Sequence, residues 1–236
     1  MTRPFRFKKF TVVQERTPMK VGTDGVLLGA WAHVDDAREI LDIGTGTGLL
    51  ALMAVQRAPR ARVIALEPHP DAAAEAQANF DDSPFRDRIT LHPVALEDFF
   101  SEKSFDLILC NPPYFSGDLP SPDSGRTAAR HAHTLTPHAL AQAALHLAPR
   151  GRLASIYPVD RYLELEKHMA ESGWKPLRRT FVTPLPDHPP HRVLSEFSPR
   201  SGSPADDRIA IRAQSGGPYS AEYKRLTAAF YLDGIE

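Results

Sequence analysis

The sequence predicts an α/β fold with a mainly parallel, seven-stranded sheet, one antiparallel strand near the C-terminus, and helices on both faces. Three observations lead there. From Arg38 onward, short apolar β-type runs alternate with helical patterns, the signature of βαβ units. A glycine cluster, Gly44 to Gly48, interrupts the first of those units. After Gly173 the helical pattern stops, and β-type stretches follow one another with only loops between them. That is where an antiparallel return can enter the sheet.

Each element has a local reason. FRFKKFTVV (5–13) alternates weakly and is rich in β-formers, so it reads as a strand or hairpin. Thr23 is a candidate helix N-cap, with Asp24 in the first turn and VLLGAWA behind it. REILD (38–42) is a short buried strand, and LLALMAVQRA after the glycines is a helix that Pro59 follows. ARVIALE (61–67) is a strand, 71–80 an alanine-rich helix, RITLHPVALEDF (88–99) contains a strand, and FDLILC (105–110) is another. SGDLPSPDSGR (116–126) is a loop by its Gly, Pro and Ser content. Residues 137–148 read as a helix, 151–158 as a strand and 161–172 as a helix stopped by Gly173. LRRTFVTPL, RVLSEF and DRIAIRA complete the β-type stretches. The chain is expected to form one domain over 1–236, with a hairpin and helix extension (1–37) packed on a core (38–236).

Composition excludes several classes. With 28 Lys and Arg against 29 Asp and Glu, overall charge makes no case for a nucleic-acid binder, so local clustering has to decide. Arg3, Arg6, Lys8, Lys9, Arg16 and Lys20 face one acid, Glu15, within the first twenty residues. This basic arm reads either as a solvated terminus or as a polyanion-binding surface. The single cysteine, Cys110, rules out an internal disulfide framework and a cysteine zinc site. Ending an apolar strand, it reads as a small buried hydrophobe. His131, His133 and His138 show no metal-ligand spacing, so no metal is expected. No apolar run is long enough to span a membrane, and no hydrophobic signal core follows the basic N-terminus. The cytoplasm is the expected location, and a monomer the expected state.

LDIGTGTGLL puts glycines in the first βα turn, at the sheet edge where open α/β folds bind ligands. Gly44, Gly46 and Gly48 allow close backbone approach, and the following helix offers free N–H groups. The spacing is GxGxG, and Leu49 stands where the dinucleotide fingerprint needs glycine. That weakens a nicotinamide oxidoreductase reading, and the absence of GxxxxGK[ST] excludes a P-loop. Glu67 ends the second core strand 19 residues beyond Gly48, placed to hold a ribose diol. Asp42 is either a second ligand anchor or a carboxylate that braces the loop.

LILCNPPYF (107–115) ends a core strand with Asn111, Pro112, Pro113 and Tyr114. The motif sits at the same sheet edge as the glycine loop. An amine conjugated to a ring has a delocalised lone pair, and no general base deprotonates it beforehand. Two acceptors, the Asn111 side-chain oxygen and the Pro112 carbonyl, can bond both N–H groups and bring the nitrogen toward tetrahedral geometry. The prolines hold the carbonyl rigidly, and Tyr114 offers a face for a flipped base.

DIGTGTG, the strand-end Glu67 and the NPPY of 111–114 together resemble the Rossmann-like class I S-adenosylmethionine-dependent methyltransferases, of which those with NPPY act on planar nitrogens. FKKFTVVQERTPMKVGTDGVLLGAWA (7–32), RTAARHAHTLT (126–136) and YSAEYKRLTAAFYL (219–232) further resemble the bacterial tRNA (adenine-N6)-methyltransferases that modify the adenine 3′ of the anticodon, position 37, in a valine tRNA. The resemblance implies S-adenosylmethionine as cofactor, the anticodon region of a tRNA as partner, and in-line methyl transfer without a covalent enzyme intermediate. It further implies that Lys20, Gly22, Thr23, Asp24, Asp42, Gly44, Thr45, Gly46, Gly48, Glu67, Pro68 and Asn111 border the cofactor. Ala95 and Leu96 would lie beside the cofactor adenine. Related enzymes often carry aspartate near that position; Ala95 has no side-chain acceptor, and Asp98 stands three residues on, which leaves a backbone contact to the adenine. Asn111, Pro112, Pro113 and Tyr114 would hold the target base. Arg126, Arg130 and His131 would face RNA, with Lys8 and Lys9 of the basic arm, and Arg178 and Arg179 as further candidates.

The nearest rival is a protein (glutamine-N5) methyltransferase, which uses NPPY on a planar amide. It normally carries a sizeable helical domain ahead of the glycine loop, where this chain has 41 residues before Asp42. Ribosomal RNA or DNA amino-methyltransferases, and a non-catalytic RNA-binding protein retaining the fold, are the remaining alternatives.

Overall fold

The computed structural model describes residues 3–112, 135–199 and 203–234. Pro113, Tyr114, Arg126, Arg130, His131 and the 116–126 loop lie outside the described residues.

The N-terminus forms a small antiparallel hairpin, β1 (Phe5–Arg6) and β2 (Thr11–Val12). The main elements follow as α1 (Thr23–Trp31), β3 (Glu39–Ile43), α2 (Leu49–Arg57), β4 (Arg62–Leu66), α3 (Pro70–Asp81), β5 (Ile89–His92) and β6 (Phe105–Cys110). After the undescribed stretch come α4 (Pro137–Gln142), β7 (Leu147–Pro158), α5 (Val159–Glu171), β8 (Lys175–Thr183), β9 (Arg192–Ser198), β10 (Ala205–Ala210) and α6 (Ala221–Thr227).

Strands β3 to β10 make one sheet in the order β10-β8-β9-β7-β6-β3-β4-β5. Only β9 runs against the rest, pairing antiparallel with β7 and β8. The reversed strand expected near the C-terminus is therefore present, and β10 adds an eighth strand, parallel to β8. The central parallel strands β3 and β6 are buried at nearly every position, as a sheet covered on both faces requires.

Several boundaries differ from expectation by a few residues, and three have a clear local reason. Thr23 is the first helical residue, not the cap; Gly22 occupies the cap position and gives no side-chain bond. The helix expected over 137–148 stops at Gln142 and tightens into a 3-10 turn (Ala143–His146). Leu147 already belongs to β7, opposite Phe105, and the register shifts before Leu107 meets Arg152. Gly151 makes that irregularity possible, since a Cβ there would stand 2.7 Å from the Phe105 carbonyl oxygen.

Helices α1 and α2 pack unusually closely. Gly25 and Gly29, four residues apart on α1, face Leu49 and Met53, four apart on α2. A Cβ on Gly29 would lie 2.5 Å from the Met53 sulfur. The hairpin is docked rather than loose. Phe7, Phe10 and Val12 are buried in the same cluster as α1, α2 and the C-terminal Tyr223 and Phe230. Its cations Arg3, Arg6, Lys8 and Lys9 remain on the outside.

Candidate active site

Strand pairing assembles the site. Ile43, the last residue of β3, is opposite Leu66 of β4 on one side and Cys110 of β6 on the other. Gly44, Glu67 and Asn111 therefore leave the sheet side by side at its carboxyl edge. Leu66 is in turn opposite His92 of β5, which brings the Ala95–Leu96 turn to the same edge.

The glycine loop has the backbone its residues allow. Gly44, Gly46 and Gly48 adopt φ of +67°, +57° and +84°, a region that side chains disfavour. A Cβ on Gly48 would also collide with the ring of Phe80 on α3. A Cβ on Gly44 would meet nothing within 4 Å, so the backbone there borders open space. Glu67 braces this loop: one carboxylate oxygen accepts from the Gly46 N–H at 2.9 Å and the other from the His69 N–H at 3.0 Å. Each oxygen keeps acceptor capacity for a diol.

Asp42 braces the loop through one of its two carboxylate oxygens. It is fully buried and accepts from the Thr45 hydroxyl at 2.5 Å. Burial pushes its pKa up to about 7, against the lowering effect of the Thr45 hydroxyl and the nearby Ala51 N–H. Cys110 is buried beneath the motif, and burial, then the Asp42 carboxyl, hold its thiol well above the ordinary range. It is packing, not a nucleophile.

A segment not foreseen from the sequence lies across this loop. Residues 13–21 are clamped by two buried polar side chains four apart on α3. Glu75 accepts from the N–H groups of Glu15, Arg16 and Thr17 at 2.6, 2.7 and 3.0 Å, and from the Thr17 hydroxyl. Asn79 pairs with both backbone groups of Val13 and donates to the Thr47 carbonyl at 2.9 Å. Gln14 closes the far end by accepting from the Val21 N–H at 2.8 Å. The Thr17 methyl is thereby held near Gly46, 3.6 Å from where a Cβ would sit. Met19 reaches Asn111, with Sδ 3.9 Å from Nδ2. The legible trace of this clamp is a Glu and an Asn at helical spacing in an otherwise alanine-rich DAAAEAQANF.

The sequence candidates divide accordingly. Asp42, Gly44, Thr45, Gly46, Gly48, Glu67 and Asn111 converge at one edge, with half-buried Pro68 beside Glu67 and buried Pro112 beside Asn111. Asn111 also abuts α1: a Cβ on Gly25 would stand 3.7 Å from its Nδ2. Ala95 is buried and Leu96 half-buried at the outer end of that edge, and Asp98 is exposed. Lys20 is spent on the segment's own carbonyls, donating to Gln14 at 2.5 Å and Thr17 at 2.9 Å. Asp24 accepts from the Arg192 guanidinium at 2.8 Å.

The hairpin cations are remote. Lys8 pairs with Asp233 at 2.8 Å and donates to Ala228. That corner is tied by Gln56 to the far end of α2, about 12 Å along the helix from the glycine loop. Lys9 is exposed on the same hairpin. Arg178 and Arg179 are half-buried and ion-paired. Arg178 lies over Trp31, 3.6 Å from the ring centroid, and forks onto Glu196, while Arg179 forks onto Asp206 at 2.8 Å. Both guanidiniums are engaged within the fold, so neither is an unpaired cation. Among the described residues, no group of three or more His, Cys, Asp or Glu side chains is arranged to hold a metal ion. No helix among them is long and apolar enough to cross a membrane.

This geometry agrees with what the chain is similar to. The methyltransferase small domain family matches residues 20–172. The tRNA1(Val) (adenine(37)-N6)-methyltransferase of Porphyromonas gingivalis is 46% identical over 96% of this chain and 94% of its own length. That of Escherichia coli O139:H28 is 41% identical over 97% and 94%. A solved structure described as a predicted O-methyltransferase from Agrobacterium tumefaciens superposes with a TM-score of 0.66 at 17% identity, over 88% of this chain and 96% of that one. At that identity the likeness speaks for the fold alone. With the glycine loop, Glu67 and Asn111 on adjacent strands, and relatives aligned over nearly the whole chain, the protein belongs to the family of tRNA1(Val) (adenine(37)-N6)-methyltransferases.

Proposed function

We propose that the protein transfers a methyl group from S-adenosylmethionine to the N6 amine of adenine 37 in tRNA1(Val). The observation that carries the chemistry is the adjacency of three strand ends. The glycine loop, the Glu67 carboxylate and Asn111 emerge from neighbouring strands in register. The family membership supplies the substrate.

The residues present suit the cofactor. Gly44 borders open space that a side chain would fill, and Glu67 retains acceptor capacity for a ribose diol after bracing Gly46 and His69. Gly44, Gly46 and Gly48 would hold its amino-acid end, Glu67 its ribose, and the Ala95–Leu96 turn its adenine. The bound cofactor supplies an electrophilic methyl on a sulfonium.

The chain's own residues act on the amine. Asn111 and the Pro112 carbonyl accept from its two N–H groups, which orients the lone pair. Both acceptors are preset by the end of β6, so little reorganisation accompanies the step. Pro112 is buried, which fixes the carbonyl. In this reading Tyr114 supplies the stacking face, and Pro113 contributes the fixed φ of its ring. Arg126, Arg130 and His131 face the RNA. We place the reaction in the cytoplasm, where the tRNA is, and treat the chain as one functional unit.

The test is Asn111→Ala with an unmodified tRNA1(Val) transcript. Transfer should fall by at least about a hundredfold, while cofactor affinity measured by calorimetry stays within a few-fold. A comparable loss of cofactor binding would show that Asn111 does not act mainly on the target amine. Nucleoside mass spectrometry of the product identifies the base; methyl on any position other than N6 of adenine 37 overturns the substrate assignment.

A further inference from the structure

We propose that Asp24 and Arg192 form a latch that positions Asn111 for the transfer step. This rests on the reading of Asn111 as an acceptor for the target amine.

The latch follows from the one reversed strand. Because β9 runs against the sheet, its first residue lies where the parallel strands end. Arg192 is opposite Pro158 at the end of β7 and Val182 near the end of β8. It therefore stands at the catalytic edge. Its Nε donates to Asp24 Oδ2 at 2.8 Å, and its Nη1 donates to the His191 carbonyl at 3.1 Å. The two side chains are 27% and 26% exposed, so the pair is partly withdrawn from solvent.

Asp24 lies in the first turn of α1, and its neighbour Gly25 covers Asn111. The absent Cβ of Gly25 would stand 3.0 Å from Leu49 Cδ2 and 3.7 Å from Asn111 Nδ2. Nothing caps this helix end from the side chain at the cap position, because that residue is Gly22. The other end of α1 is anchored separately, by Gly29 against Met53 and by Trp31 beneath Arg178. The ion pair thus ties the first turn of α1, which abuts Asn111, to the start of β9. Asp24 is then a positioning residue acting through Arg192. That differs from the cofactor contact implied by resemblance.

The test compares Asp24→Asn, Arg192→Gln, the double variant, and the gentler Arg192→Lys. Arg161→Gln, which breaks the exposed pair with Glu164, is the control. Single-turnover transfer to tRNA1(Val) is measured at saturating cofactor, cofactor affinity by calorimetry, and the Asn111 side-chain amide by NMR. Each single variant should slow transfer by about tenfold or more, since small misplacements of a reacting group have effects of that size. The double variant should be no slower than the worse single, Arg192→Lys should be intermediate, and cofactor affinity should stay within about threefold. The Asn111 amide signal should move in every latch variant and not in Arg161→Gln. Unchanged transfer, additive losses, or a cofactor defect confined to Asp24→Asn would overturn the latch. If the wild type does not methylate this tRNA, the functional reading falls. The Asn111 signal then decides the latch alone, and an unmoved signal refutes it.

Discussion

Replacing Glu75 by alanine should detach the segment that lies over the glycine loop. The carboxylate is 4% exposed and has four donors: the N–H groups of Glu15, Arg16 and Thr17, and the Thr17 hydroxyl. Glu15 and Arg16 are exposed, so water replaces the carboxylate at those two donors. Thr17 is 2% exposed, and both of its donors are stranded. At about 1–3 kcal/mol per stranded buried group, the loss is about 4 kcal/mol. For a chain of this size that lowers the melting temperature by roughly 8–16 °C. Glu75→Gln should recover only part of the loss, because its amide oxygen can still accept from Thr17 while its NH2 is turned toward the Glu15 and Arg16 N–H groups. The acid limb has a definite sign. Burial works to raise the Glu75 pKa, but the Thr17 hydroxyl and then the N–H groups of Arg16, Thr17 and Glu15 outweigh it and hold it below 4.5. Its stabilising contribution is therefore full above pH 4.5 and is lost as pH falls through the lower folded value. The assay is thermal unfolding of wild type and variant across pH, with hydrogen exchange of the 13–17 amides and cofactor calorimetry. A melting temperature within about 1 °C of wild type, with unchanged protection at those amides, would refute the account of this clamp.

Other perturbations follow from the same geometry. Asp42 has a folded pKa raised from 3.8 to about 7, so its neutral form favours folding and its contribution is present below pH 3.8 and lost as pH rises through about 7. Asp42→Asn should remove that slope, on the order of 4 kcal/mol, and parallel pH–stability curves for the two proteins would contradict it. Gly48→Ala combines a left-handed backbone with a collision against Phe80, so it should destabilise by about 3 kcal/mol or more and abolish measurable cofactor binding. Arg178→Gln leaves the buried Glu196 without its forked partner, and should destabilise by about 3 kcal/mol in denaturant melts. The salt dependence of tRNA binding should stay unchanged in that variant; a shallower slope would return Arg178 to the RNA surface.

Much of the fold was legible because local and global signals agree. FDLILC is β6 residue for residue, since an apolar run bounded by a charged turn and two prolines has one reading. The glycine loop was legible because those φ values favour glycine, and the place of Glu67 beside it follows from the register of β3 with β4. The 137–148 helix was overestimated because ALAQAALHLA is helical by propensity. The pairing of Leu147 with Phe105 overrides that propensity. The basic arm suggested an RNA surface because charge was the visible feature of 1–20. Its phenylalanines and its backbone dock it, Lys8 joins in that docking, and Lys20 is engaged with the segment's own carbonyls. Gly25 and Gly29 carried a signal that was available, two helix glycines four apart, which marks close helix packing.

By itself the sequence determined the order of elements, the edge at which the glycine loop, Glu67 and Asn111 emerge, and the residue types that stand there. These depend on residue type and on neighbours a few positions away. Tertiary structure decided which polar groups meet. Glu75 takes hydrogen bonds from residues some sixty positions earlier, and Arg192 reaches Asp24 across 168. A carboxylate or guanidinium satisfies itself with whatever partner the packed fold brings within 3 Å, and nothing local in the chain specifies that partner. The same reasoning took Lys20, Arg178 and Arg179 out of the set of unpaired cations, because the fold had already given each of them an acceptor.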